Sequence, residues 1–379
     1  MVDGQATAGK QDLMEDQAKL IALRNQIDQI DDQMLVLLNQ RARLAHQIGA
    51  IKNGVVYRAD REAQVMQRMA DANPGPLDGQ SIKYLYREIM SACLSMERPL
   101  TIGYLGPEGT FSQAAALRQF GHAARLQSFL SIDDVFRAVE TGTTDYGVVP
   151  IENSTEGAVN RTLDLLQETS LHLSGEIEMP IHQSLLRKVP GLEGVRVLYS
   201  HAQSLAQCYQ WLNKQLPGVS RVAVASNAEA ARLAAADDSV LAVAGELAAE
   251  QYGLLRLYDR IEDEADNTTR FVVIANQDVD RPSGRDKTSL ILSRPNEPGA
   301  IVTLLRPFSE HGISLTKLES RPARLTVRHE GRPGAIWEYV FYVDIEGHRT
   351  DAAVQAALQA VQAEATLVKL LGSYPRNLL

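Results

Sequence analysis

The chain has 379 residues, 45% hydrophobic and 22% charged, and a net charge of −9. That length leaves room for roughly two to three domains, and an acidic balance without an aromatic-rich basic patch argues against a nucleic-acid partner. No apolar stretch reaches membrane-spanning length, and residues 1–18 lack the apolar core of a signal peptide, so a cytoplasmic protein with a disordered tail over 1–18 and no membrane contact is expected.

From Leu20 apolar side chains recur with three-four spacing, at Leu20, Leu23, Ile27, Ile30, Met34, Leu37, Leu44, Ile48 and Ile51, and Arg41 takes one place in that series. The spacing predicts a helix from about Asp12 to Lys52, stopped by Asn53-Gly54, whose apolar seam must press on another helix. A guanidinium in such a seam is costly unless an anion meets it. Lys52 lies about 20° from Arg41 around the helix and about 16 Å along it, within reach of a shared small ligand. Arg24 is about 25 Å from Arg41 on the same rod, so it joins that site only from a second copy of the chain. Two shorter helices follow, one opening at Asp60 with Arg61-Glu62 in its first turn and one from about Asp78 to Glu97, separated by Pro74-Gly75-Pro76. They are too short to cover the first helix, and an intertwined homodimer is the simple way to bury it.

The order Arg24, Arg41, Lys52, Arg61-Glu62 resembles the all-helical chorismate mutases. The resemblance implies that these side chains hold the carboxylates and ether oxygen of chorismate while it rearranges to prephenate, with no metal and no cofactor. Arg58 stands where a carboxylate is often found in that family, and Cys93 and Glu97 stand where serine and glutamine are often found. Glu97 is expected to meet the ether oxygen as a proton-bearing donor, which makes mutase activity fall as pH rises. Residues 19–99 are read as this helical domain.

Residues 100–277 alternate short β-branched runs with helical stretches, as an α/β region of two lobes does. Strands are predicted at Thr101 to Leu105, Tyr146 to Ile151, Val195 to Tyr199, Val222 to Ala225, Val240 to Ala244 and Arg270 to Ala275. Helices are predicted from Ser112, Ser131, Ala158 and Asn227. Three polar clusters stand at strand ends, where open α/β sheets bind ligands. GPEGTFS carries Thr110 and Ser112, VVPIENSTEG carries Glu152, Asn153 and Ser154, and Thr268, Thr269, Arg270 and Phe271 open a hydrophobic strand. Gly103, Gly106 and Gly109 read GxxGxxG and not the dinucleotide GxGxxG, which argues against a nicotinamide site. Together with Ser200-His201 and Gln207-Cys208, the clusters resemble the prephenate dehydratases. The resemblance implies a two-lobed fold like that of periplasmic binding proteins, and the conversion of prephenate to phenylpyruvate in the cleft. It places Thr269 at the leaving hydroxyl, Arg270 on an anionic group, and Glu152, Asn153, Ser200 and Gln207 along the cleft. Whether Thr269 or Glu152 supplies the proton stays open.

Asp278 to Lys287 is read as a linker. Residues 288–379 follow the order βαββαβ of a ferredoxin-like unit. GAIV, containing Gly299 and Ala300, and ESRP, formed by Glu319, Ser320, Arg321 and Pro322, resemble the ACT regulatory domain. That resemblance implies phenylalanine bound between paired domains as an allosteric inhibitor. Ala323 to Ala335 is read as an exposed loop. Two cysteines without CxxC spacing and eight scattered histidines predict neither a disulfide nor a metal site. The three resemblances imply an enzyme with mutase and dehydratase activities in phenylalanine biosynthesis. Its rival is a mutase fused to a non-catalytic sensor of an aromatic ligand.

Overall fold

The computed structural model describes residues 3–51, 57–323 and 339–377, with side chains from Asp16 onward. Lys52, Asn53-Gly54 and nearly all of the expected loop after Ala323 lie outside the described residues. The chain divides into two compact units, one of residues 1–56 with 92–98, the other of 57–91 with 99–379.

In the first unit, α1 (Asp3–Ile51) is a single helix of 49 residues. It starts well before Asp12, so most of the expected 1–18 tail is helical. The segment has no proline and is rich in Ala, Gln and Leu, all strong helix formers. The second unit opens with α2 (Ala59–Asp71), where Asp60 and Glu62 favour the positive end of the helix. Then comes α3 (Gly79–Ser95), whose last turn belongs to the first unit.

The next part builds one lobe from β1 (Thr101–Leu105), α4 (Phe111–Phe120), β2 (Arg125–Phe129), α5 (Ile132–Glu140), β3 (Tyr146–Asn153), β4 (Gly157–Ala158), α6 (Asn160–Glu168) and β5 (His172–Pro180). A second lobe holds β6 (Ser184–Arg187), β7 (Val197–His201), α7 (Ala202–Gln207), α8 (Tyr209–Gln215), β8 (Ser220–Val224), α9 (Asn227–Ala236), β9 (Val240–Ala244), α10 (Glu246–Tyr252) and β10 (Leu255–Tyr258). The chain then returns as β11 (Thr268–Ala275) to the first sheet, whose order is β2-β1-β3-β11-β5 with β4 on β3. The second sheet runs β10-β6-β9-β7-β8. Helix starts follow local chemistry: Ser131 accepts from the Asp134 amide at 3.2 Å and donates to its carboxylate at 2.7 Å, a capping box at α5.

The last part is β12 (Asp286–Ser293), α11 (Ala300–Glu310), β13 (Leu315–Pro322), β14 (Tyr339–Glu346), α12 (Ala352–Glu364) and β15 (Leu367–Pro375). Its sheet runs β13-β14-β12-β15, antiparallel throughout. One face covers α11 and α12 through Leu290, Leu304, Phe308, Val343 and Val361. The opposite face joins the first lobe in one continuous core, with Leu163, Leu166, Leu173 and Val272 packed among Ile291, Tyr342, Leu371 and Tyr374. At Gly372 a methyl group would collide with the carbonyl oxygen of Leu173, so β15 lies directly against β5 only because no side chain intervenes.

Candidate active sites

On α1 the predicted seam is uncovered. Leu20, Leu23, Ile27, Ile30, Met34 and Leu37 are each 51–62% exposed. Arg41 is half-buried and Arg24 exposed, and among the described residues neither has an ion-pair partner. Cys93 and Glu97 share this unit, and the Glu97 carboxyl packs so closely on α1 that a Cβ at Gly49 would overlap it. One Glu97 oxygen is buried without a hydrogen-bond partner among the described residues.

Arg61 and Glu62 fall in the other unit. Arg61 is exposed, whereas Glu62 is buried in an ion pair with Arg87, itself 1% exposed. Next to them Tyr57 is buried against the rings of Phe120 and Tyr146 and accepts from Gln119 at 3.0 Å. Burial, reinforced by the Glu62 charge, pushes the Tyr57 hydroxyl above the usual phenol range. The departure at Arg58 has a local account: its guanidinium forks onto Asp60 at 2.9 and 2.7 Å.

In the two-lobed part, Thr269 and Asn153 are cross-strand partners on β11 and β3. Asn153 Nδ2 donates to Thr269 Oγ1 at 2.8 Å and to Asn267 Oδ1 at 2.8 Å. Its Oδ1 accepts from the Thr155 hydroxyl and the Thr155 and Glu156 amides, which folds the ENST segment into a turn around it. Ser154 accepts from the Thr268 amide at 2.9 Å and ties the turn to β11. A cavity of about 480 Å³ opens beside this cluster, lined by Thr155, Gln207, Asn267, Glu156, Asp263 and Glu264 among others. Its charged lining residues are acids, so that wall by itself does not hold an anion. A second cavity of about 420 Å³ meets Thr110, Arg118, His182 and Gly245. Among the described residues Arg118 has no acid partner, and burial lowers its affinity for a proton.

Several expected site residues are committed elsewhere. Arg270 was read as the grip on a substrate anion, but it is 6% exposed and surrounded by three protein carboxylates. It donates to Glu152 at 2.9 Å and to Asp344, and its Nε lies 3.4 Å from Glu176. Burial opposes its charge, yet the charges of Asp344, Glu176 and Glu152 outweigh that and hold it above the usual arginine range. Phe271, also expected at the site, is 2% exposed. Ser200 is fully buried, with its hydroxyl 2.7 Å from the Val243 carbonyl and 2.9 Å from Asn227 Oδ1. Ser112 is buried, and Thr110 caps α4 while donating to the Leu105 carbonyl at 3.0 Å.

Residues that sequence reasoning did not find complete the polar set. Asn227 donates to Ser204 at 2.8 Å, and Gln183 reaches the same hydroxyl at 3.1 Å, so Ser200 belongs to a wider network. Asn227 stood one residue after a helix-capping serine, which was the available signal. In the C-terminal part Gly299 precedes α11 with φ +85°, and Arg321 donates to Asn160 and Asp164 of α6 at 2.7 and 3.0 Å. Arg321 therefore anchors β13 to the first lobe rather than standing free for a ligand.

Among the described residues no group of side chains is arranged to hold a metal ion, and no helix is long and apolar enough to cross a membrane. Three family profiles match in series: chorismate mutase type II over residues 23–98, prephenate dehydratase over 102–279 and the ACT domain over 288–363. A bifunctional chorismate mutase/prephenate dehydratase of Neisseria gonorrhoeae is 52% identical over 364 residues, covering 95% of this chain and 98% of the relative. One of Pseudomonas aeruginosa is 46% identical, covering 97% of this chain and all of the relative. The crystal structure of an Arthrobacter aurescens prephenate dehydratase in complex with L-Phe superposes with a TM-score of 0.64 at 33% identity, over 73% of this chain and 90% of that one. A helical region, a two-lobed α/β region and an α+β region thus stand in the order of three matching profiles, and the chain belongs to the bifunctional chorismate mutase/prephenate dehydratase family.

Proposed function

We propose that the helical region rearranges chorismate to prephenate and that the two-lobed region converts prephenate to phenylpyruvate, carbon dioxide and water, under inhibition by phenylalanine at the C-terminal region. The observation that carries the dehydratase reading is the Asn153–Thr269 pair. Because Thr269 Oγ1 accepts from Asn153, its own proton is free to be donated, and its hydroxyl is held at a strand end. In the reaction the bond from the ring to its carboxylate breaks and the electron pair enters the ring. The ring hydroxyl leaves and takes up one proton as water. Thr269 addresses that leaving oxygen as a donor or relay. Glu152 does not fit the acid role, because one of its oxygens meets Arg270 and the other Lys317.

In the helical region the bare seam of α1 is covered by a second copy of the chain. The partner then brings its Arg24 to a site holding Arg41, Cys93 and Glu97. Glu97 takes the place of an amide donor to the ether oxygen, and its buried oxygen, without a hydrogen-bond partner among the described residues, supports that role. The antiparallel C-terminal sheet with two helices on one face is read as a ferredoxin-like ACT domain, with phenylalanine held near Gly299, Ala300 and the strand Glu319 to Pro322. The location of the enzyme is read as cytoplasmic.

The test supplies purified protein with chorismate and no nucleotide, and follows phenylpyruvate by ultraviolet absorbance with and without phenylalanine. Product that phenylalanine suppresses is expected; a chain that accumulates prephenate supports a non-catalytic sensor instead. Thr269→Ala is expected to lower dehydratase turnover by about 100-fold or more, with mutase turnover unchanged. Normal turnover in that variant removes Thr269 from the chemistry.

A further inference from the structure

Four charged residues close a ring between the dehydratase sheet and the C-terminal sheet. Glu152 and Arg270 are cross-strand partners on β3 and β11. Lys317 and Asp344 are cross-strand partners on β13 and β14. Arg270 bonds Glu152 at 2.9 Å and also Asp344, and Lys317 bonds the second oxygen of Glu152. The Arg270, Asp344 and Lys317 side chains are 5–7% exposed. Each sheet carries a register irregularity at this point, between Arg270 and Phe271 on one side and between Leu315 and Lys317 on the other. Such bulges re-aim side chains out of the regular ladder, and both lie next to the residues that meet.

The ring touches both ends of the enzyme's control problem. Glu152 immediately precedes Asn153, and Arg270 immediately follows Thr269, so the two residues that set the Thr269 hydroxyl are chain neighbours of the ring. On the other side, Lys317, Glu319 and Arg321 are the alternate, part-buried positions of β13. Movement of the strand that carries Glu319 to Pro322 therefore moves Lys317 with it. Oppositely charged groups removed from water resist separation far more strongly than exposed ones; the Arg270–Asp344 pair is of that kind, whereas Glu152 is 32% exposed and holds Lys317 less firmly. A shift of β13 must then either carry Glu152 along or break the pair.

We propose that this ring is the link by which the state of the C-terminal domain is read at the dehydratase site. Lys317 and Asp344 are the reporting residues, and Glu152 and Arg270 are the receiving ones. The link rests on the feedback reading given above. A ligand that displaces β13 pulls the Glu152 end of the turn holding Asn153, and the Asn153–Thr269 bond loses its geometry. Misplacement by about 1 Å at a reacting group lowers turnover by about 100-fold, so a small strand movement suffices.

The test uses the full chain with Lys317→Met, which keeps most of the length of the side chain and removes its charge. Dehydratase rate is measured against phenylalanine concentration, and phenylalanine binding is measured by calorimetry on the same preparation. In the unmodified protein suppression of about tenfold or more is expected; in Lys317→Met suppression falls below about twofold, while affinity for phenylalanine and the rate without it stay within about threefold. Lys317→Arg restores suppression. Should Lys317→Met fail to fold, Asp344→Asn is read by the same criteria, since an amide still accepts from Ser289, now 2.6 Å from Asp344. Full suppression in the charge-removed variant overturns the link alone. Loss of phenylalanine binding in that variant also overturns it, by placing Lys317 in the ligand site. An unmodified protein that neither binds phenylalanine nor is suppressed by it sinks the feedback reading and the link together.

Discussion

The α1 helix and the body that follows handle their apolar surface in opposite ways. Along α1 the seam from Leu20 to Ile48 stays about half exposed. In the body, two regions with separate family profiles share one core, and Tyr342 even donates its hydroxyl to the Leu163 carbonyl across the junction. A surface that its own chain does not cover calls for another molecule. A junction that its own chain does cover, with buried charges inside it, makes a mechanical connection. Under the proposed function, the contrast gives each activity a different neighbour: a second copy for the mutase, the domain after it for the dehydratase.

Breaking the uncovered surface should have the largest effect. Ile30→Asp puts a charge in the middle of the seam, and we expect sedimentation to show loss of the α1-mediated dimer and mutase turnover to fall by about 100-fold or more, because Arg24 no longer arrives from the partner. Dehydratase turnover should change little, and a full-strength mutase in a chain that no longer pairs through α1 would refute the dimer reading.

The covered junction is sharpened by Leu163→Ala. Leu163 is fully buried in the shared core, and its truncation is expected to cost about 2–5 kcal/mol. If the core is one cooperative unit, denaturant unfolding of the two-lobed and C-terminal parts moves together. Two separated transitions, with only the first shifted, would mean that the parts fold independently.

A smaller effect concerns alkaline pH. Burial, with Glu262 and Asp263 nearby, pushes the Cys208 thiol well above the usual range, and burial together with Asp344 does the same to the Tyr374 hydroxyl. Each group keeps its proton in the folded chain at a pH where the unfolded chain has released it. The stability it contributes is intact below the unfolded value, about 8.5 for a thiol and about 10 for a phenol, and is lost as pH rises beyond it. Stability should therefore fall above about pH 9, by up to about 1.4 kcal/mol per pH unit for each such group. Cys208→Ala should flatten the first part of that slope. An identical slope in the variant would assign the alkaline loss to other groups.

Much of this was legible in the linear chain because the signals were local. The three-four spacing on α1, the Ser131 capping box and the βαββαβ order each depend on residues a few positions apart. The strand β5 was missed for a physical reason. Its residues from Leu173 to Ile177 are buried on both faces and include Ser174, Gly175 and Glu176, so it shows neither alternation nor a continuous apolar run. The short β6 and β10 and the helices α7, α8 and α10 carry too few residues for a period to appear. The family resemblance puts Arg270 on an anion beside Thr269, yet adjacency in a strand points successive side chains to opposite faces.

The sequence by itself determined the order of three regions, the unpaired seam with Arg41 in it, and the polar clusters at strand ends, since each is written in short-range pattern. Only the tertiary structure decided which charges meet. Glu152, Glu176, Arg270, Lys287, Lys317 and Asp344 are scattered along the chain, and nothing local pairs them. The shared core brings their strands together, and burial then requires that every charge find an opposite.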